Sequence, residues 1–90
     1  MKITWDEAKR RLTLAKRGLD FADSAEVFAG RTLTLPDERK FYGEARFITA
    51  GWLHDRFVVI VWTPRNDGRR IISMRYGHAE EEDDWRDQMD

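Results

Sequence analysis

Residues 57–63, Phe57-Val58-Val59-Ile60-Val61-Trp62-Thr63, then Pro64-Arg65-Asn66-Asp67-Gly68 and the run from Arg69 to Tyr76, decide the fold. The first segment is mostly β-branched and apolar on both faces, as a strand in the middle of a sheet must be. The five residues after it carry Pro, Asn, Asp and Gly, and so short a linker returns the chain as an antiparallel hairpin. Working upstream, Glu44 to Leu53 reads as another long strand, joined to the first through Leu53-His54-Asp55-Arg56. That join is also of hairpin length. Arg31-Thr32-Leu33-Thr34-Leu35 alternates in polarity and stops at Pro36-Asp37, which makes a further strand and a turn.

Outside this all-β middle the period changes. Ile3-Thr4-Trp5 is a short first strand, and Asp6 caps a helix running to about Arg17, with Gly18 as its left-handed stop. Ala8, Leu12, Ala15 and Leu19 recur at helical spacing and predict a narrow apolar stripe on a basic helix. Asp20 caps a second helix, about Phe21 to Phe28, with Phe21, Ala25 and Phe28 on one face and Gly30 as its end. A last helix covers about Ala79 to Gln88. The expected order is β-α-α-β-β-β-β-α: an α+β domain with two N-terminal helices and a C-terminal helix packed on one antiparallel sheet.

Ninety residues without a repeat or a Pro/Gly/Ser linker make one domain, 1–90, with room for one modest core. No cysteine is present, so no disulfide or thiolate metal site is available. No apolar run reaches the length of a membrane span, and the charged start Met1-Lys2-Ile3-Thr4-Trp5-Asp6-Glu7 does not have the form of a signal peptide. A cytoplasmic protein without membrane contact is expected. The net charge of −1 conceals a split. Residues 1–78 hold 15 of the 16 Lys+Arg against 10 of the 17 Asp+Glu, a balance of +5. The acidic segment 79–90 holds seven acids and one Arg, a balance of −6. A basic body attracts phosphate, and an acidic tail can shield it.

Three sets of residues resemble the BrnT toxin family. Trp5-Asp6-x-x-Lys9 with Lys16, Gly18 and Phe21 is similar to the family opening WDxxKxxxNxxKHGxxF. Asp37 followed by Tyr42-Gly43-Glu44-x-Arg46 is similar to its YGExR strand. Thr63-x-Arg65 and Arg70-Ile71-Ile72-Ser73-x-Arg75 are similar to YTxR and RIISxR. The order and spacing hold from Trp5 to about Trp85. The resemblance implies a RelE-like fold and a metal-independent ribonuclease toxin of a bacterial type II toxin–antitoxin system, without a cofactor. It further implies neutralisation by a BrnA-like antitoxin, through which alone operator DNA would be reached. Two features depart from the family: Thr13 and Arg17 stand where it shows Asn and His, and the chain turns acidic after Arg75. A guanidinium does not deprotonate in proteins, so Arg17 cannot replace a His as general base. The alternative is therefore a catalytically inactive homologue that binds antitoxin in an autoregulatory DNA-bound complex.

RNA is cut without metal when its 2′-hydroxyl attacks the adjacent phosphorus. Cations must then stabilise the developing charge while other groups move two protons. Arg70 and Arg75 are the leading candidates, flanking one strand. Five residues apart, they share a face only if that strand twists or bulges. Glu44 and Arg46, two apart, share a face on a regular strand, where Glu44 can orient Arg46 or take a proton. Lys16 completes the set as an RNA-binding cation. Trp5, Asp6 and Lys9 suit core packing, a helix cap and an ion pair; His54 suits a solvated turn; His78 is a candidate proton donor. Tyr42, Trp52, Tyr76 and Trp85 can stack on bases, though the core suits most of them better. If the acidic tail shields the basic face, its removal raises RNA affinity.

Overall fold

In the computed structural model, which describes residues 2–89, the hairpin expected at 57–76 lies at the heart of the sheet. The strands are β1 Ile3–Trp5, β2 Leu33–Pro36, β3 Phe47–Leu53, β4 Arg56–Arg65 and β5 Gly68–Tyr76, in the spatial order β1-β5-β4-β3-β2. The helices are α1 Glu7–Arg17, α2 Ser24–Ala29 and α3 Ala79–Met89, and a 3-10 turn, Phe21–Asp23, precedes α2. Both hairpins close through two left-handed residues, His54-Asp55 (φ 49° and 65°) and Asn66-Asp67 (φ 50° and 64°). Such turns match the twist of the strands they join. The second turn is tighter than the five-residue linker expected, because pairing continues through Pro64↔Arg69 and Arg65↔Gly68.

The sheet corrects the expectation of an antiparallel one. β1 runs parallel to β5, with Ile3 opposite Arg69 and Trp5 opposite Ile71, so the sheet is mixed. Two further boundaries differ. The segment from Glu44 to Arg46 lies outside β3, which begins at Phe47. The second helix begins at Ser24, since residues 21–23 wind as a 3-10 turn. That tighter turn repeats every three residues, so Phe21, Ser24 and Val27 are buried while Ala25 is exposed.

Helix caps follow the sequence. Asp6 accepts from Lys9 N at 3.0 Å, and Gly18 closes α1 at φ 70° with its N–H on the Leu14 carbonyl. Asp20 accepts from Ala22 N at 2.9 Å. The apolar stripe of α1 does not behave as expected. No residue of α1 is buried; Ala8, Leu12 and Ala15 are exposed, and only Leu19, beyond the helix, enters the core. α1 is instead held by polar groups on another side. Arg10 binds Asp20 at 2.7 and 2.9 Å, and Arg17 Nη1 donates to the Met74 carbonyl at 3.0 Å.

The two sheet faces differ. Inner-facing Val58, Ile60, Ile71 and Met74 pack with Leu19, Phe21 and Val27. Val27 lies directly over Gly51, where a Cβ would stand 2.8 Å from Val27 Cγ1. The outer face carries Ala50, Phe57 and Val59, met only by partly buried groups that include Trp85 and Met89 of α3.

Candidate active site

The outer face takes its geometry from one irregularity. β4 and β5 pair Val61 with Ser73 and then Trp62 with Ile71, leaving Ile72 as a bulged residue. A bulge reverses the alternation of faces along the strand that holds it. Arg75 lies opposite Val59 and Arg70 opposite Thr63, and Val59 and Thr63 are four apart on β4. The bulge thus brings Arg70 and Arg75 to one face, the condition under which both can meet the same substrate. Four residues of strand still put them about 13 Å apart.

Arg75 is one wall of a cavity of about 290 Å³ lined by Arg39, Ile48, Val59, Val61, Ser73, Arg75, Glu81 and Trp85. Glu81 reaches back from α3 and grips Arg75 through both oxygens, at 2.6 and 2.8 Å. The short connection from β5 into α3 allows this because position 77 is glycine: a Cβ there would meet Phe57 Cδ2 at 2.5 Å and Glu81 Oε1 at 2.7 Å. The pair holds the Glu81 carboxyl below its usual range, with His78 adding a smaller push in the same direction. It also raises the already high proton affinity of Arg75, which Arg39, a like charge nearby, opposes. α3 is pinned twice more, both times at Trp52: its Nε1 donates to Glu82 at 2.9 Å, and the Arg86 guanidinium lies 4.7 Å from its ring centroid.

Arg39 reaches the cavity from the loop between β2 and β3. Its partner Asp37 has a fully buried side chain and accepts two 2.7 Å bonds from the guanidinium. Those bonds, joined by Tyr42, lower the Asp37 carboxyl to about 2 although burial opposes it. Arg39 is a cavity residue that the sequence reading did not single out. Asp37 was visible in the motif match, but nothing in the sequence says that its partner is two residues on.

The five candidates fall in separate places. Arg75 lines the cavity. Arg70 stands further along the same face and makes no ion pair among the described residues. Glu44 and Arg46 leave the strand expected for them: they bond each other at 3.1 Å, Glu44 also binds Arg65 at 3.3 Å, and the Arg46 guanidinium lies 4.1 Å from the Tyr42 ring centroid. They line a different hollow, beside Pro36 and Phe41, where Glu44 is a salt-bridge partner rather than a group aimed at the Arg75 cavity. Lys16 lies with Lys9, Leu12, Thr13, Arg17 and Ile72 along a groove of about 260 Å³. Ser73 lines both this groove and the Arg75 cavity, so a basic path runs from α1 to the outer face. Lys9 forms no ion pair among the described residues, against expectation. His54 is exposed in its turn, 3.2 Å from Glu26. Trp52, Tyr76 and Trp85 are all half-buried.

Among the described residues no three His, Asp or Glu side chains group as a metal would require, and no helix is long and apolar enough to cross a membrane. Comparison with curated proteins gives no match. The family described as ribonuclease toxin, BrnT, of type II toxin–antitoxin system matches residues 5–81, from β1 to the Glu81 that grips Arg75. Over that span, which is most of its length, the chain belongs to the BrnT family of ribonuclease toxins.

Proposed function

We propose that this domain, RelE-like in kind, is a metal-independent endoribonuclease that cleaves RNA on the outer sheet face and is neutralised by a BrnA-like antitoxin, with operator DNA met only through that partner. One observation carries the reading: two guanidinium groups from distant segments, Arg39 and Arg75, converge on one cavity beside Ser73. Like charges brought together are unfavourable unless an anion accompanies them. In this state Glu81 and Asp37 are those anions. A phosphodiester of RNA can take the place of Glu81 on Arg75.

The chemistry then follows. The 2′-oxygen attacks phosphorus, the bond from phosphorus to the 5′-oxygen breaks, and the products are a 2′,3′-cyclic phosphate and a free 5′-hydroxyl. Arg75 and Arg39 stabilise charge on the non-bridging oxygens, with Arg70 further along the same face receiving a neighbouring phosphate. Glu81 is the cavity's carboxylate. While paired with Arg75 it is a weak base, because the guanidinium favours its ionised form. Displaced from Arg75 by phosphate, it regains basicity and accepts the 2′ proton, while the leaving 5′-oxygen takes its proton from water. Lys16 and Lys9 hold the strand along the groove on α1. Glu44 and Arg46 brace the loop that carries Arg39.

The test uses a labelled mRNA in EDTA, with parent, Arg75→Ala and Glu81→Gln proteins. Cleavage by the parent to cyclic phosphate ends, lost in Arg75→Ala, supports the reading. Glu81→Gln separates the two roles of that residue. If Glu81 is only a plug, binding and cleavage both rise; if it also takes the proton, binding rises and cleavage falls. A folded parent that leaves RNA intact, with ribosomes also tried, supports the antitoxin-binding alternative. That alternative has its own observation: Arg17, at the position of the family's His, is committed to the Met74 carbonyl.

A further inference from the structure

The loop that delivers Arg39 also presents Phe41, which is 95% exposed, the most exposed of the large apolar side chains. Burying a phenyl ring is worth about 2–3 kcal/mol, so a ring held in water needs an explanation. Disorder of the loop does not supply one, since it is fastened at several points. Asp37 is buried beneath it and bound to Arg39, and Asp37 N donates to the Arg46 carbonyl at 2.8 Å. The Thr63 hydroxyl donates to the Ala45 carbonyl at 2.6 Å, and Gly43 turns the chain at φ 78°. Tyr42, next in sequence, is occupied by two cations, with Lys40 Nζ 5.1 Å and the Arg46 guanidinium 4.1 Å from its ring centroid. Phe41 is therefore an open ring on a braced loop, between Lys40 and the Tyr42 platform.

Its position ties it to the site. Phe41 lies two residues after Arg39, so their Cα atoms stand within about 7.6 Å; Phe41 borders the hollow of Glu44 and Arg46, and Arg39 lines the neighbouring Arg75 cavity. We infer that Phe41 is a base-stacking subsite: the ring takes the face of an unpaired nucleobase whose neighbouring phosphate lies on Arg39 and Arg75. This rests on the RNA-cleaving reading above and adds to it the substrate class, a single-stranded segment with an unstacked base beside the cut. Stacking on an aromatic ring with cations alongside is the general means by which proteins hold single strands without reading sequence. Lys40 and Arg39 would supply the phosphate attraction, and Phe41 a contact that salt does not weaken.

The experiment uses a short single-stranded RNA with 2-aminopurine at one position and 2′-O-methyl groups to block cleavage. Parent, Phe41→Trp, Phe41→Leu and Arg75→Ala proteins are compared at two salt concentrations. Parent and Phe41→Trp should quench the fluorophore. Phe41→Leu, equally apolar but unable to stack, should lose the quench and bind about 5- to 100-fold more weakly, by the same factor at both salts. Arg75→Ala should instead flatten the salt dependence. Phe41→Leu with parental affinity and quenching overturns the subsite, and would point to a protein partner on that ring, while leaving the nuclease reading intact. A folded parent that binds no RNA overturns that reading and the subsite with it. The exposed position of Phe41 leaves no folding defect to confuse these outcomes.

Discussion

The two faces of one sheet are covered by different means. The inner face is closed by Leu19, Phe21 and Val27, all at most 1% exposed, and its cover is apolar. The outer face is covered by α3, which has no buried residue and holds on through Trp85, Met89, the Glu81–Arg75 ion pair and the hydrogen bond from Trp52 to Glu82. An apolar cover is bound wherever it fits and gains nothing from exchanging partners. A charged cover over a cation can be traded for another anion, because the group beneath it remains attractive. The difference teaches that the stability of this domain and its proposed activity are assigned to opposite sides of the same strands.

The comparison breaks if the two covers cost the same to remove. Phe21→Ala should lose about 3–5 kcal/mol, close to the whole stability of a domain this small. Gly51→Ala tests the same face from the sheet side: its Cβ enters the Val27 contact, and about 1–3 kcal/mol should be lost to overpacking. Trp85→Ala, on the outer face, should cost only about 1–2 kcal/mol, since the ring is half-buried, and should leave a folded protein with raised RNA affinity. Chemical denaturation of the three variants measures this. A Trp85 loss equal to that of Phe21 would make α3 part of the core and its displacement by RNA untenable.

Much of this architecture was legible in the sequence, and what was not has physical reasons. The central hairpins were readable because β-branched runs and two short turns leave few other solutions. The caps Asp6, Gly18 and Asp20 were readable because each is a local rule about the next few residues. The parallel pairing of β1 was not, since three residues carry no signal of direction. The outward stripe of α1 was not, because periodicity shows that a helix has an apolar side and not whether anything covers it; here Arg10 and Arg17 dock the opposite side. Of the candidate residues, Arg75 lines a cavity, and Arg70 shares its face only through a bulge that no local signal marks, where a regular strand would have parted them. Glu44 and Arg46 were placed by assuming that β3 began three residues earlier than it does. Arg39 and Phe41 depend on how one loop folds over a buried carboxylate, and single-residue types in a turn do not reveal that.

The smallest effect is the one that sharpens the comparison most, because it separates the covers by pH. Asp37, Glu81 and Glu82 all have carboxyl groups held below their ordinary range by partners on the outer side, whereas the inner cover packs through the apolar side chains of Leu19, Phe21 and Val27, and the depressed carboxyl beside them, Asp20, is tied to Arg10 of α1. A carboxyl whose folded value is depressed adds stability that is fully present above its unfolded value and is lost as pH falls through the folded one. For Asp37 the window runs from about 3.8 down to about 2. Arg39 is largely exposed, so solvent screening should hold the contribution of this pair to about 1 kcal/mol. Asp37→Asn should therefore be less stable than the parent by about that much at pH 7, and the gap should close as pH falls from 4 to 2. Urea denaturation at each pH measures it. A gap that stays constant would mean that Asp37 acts by its shape and hydrogen bonds alone. A gap that closes means that acid removes the charge pairing by which Asp37 fastens the loop carrying Arg39 and Phe41.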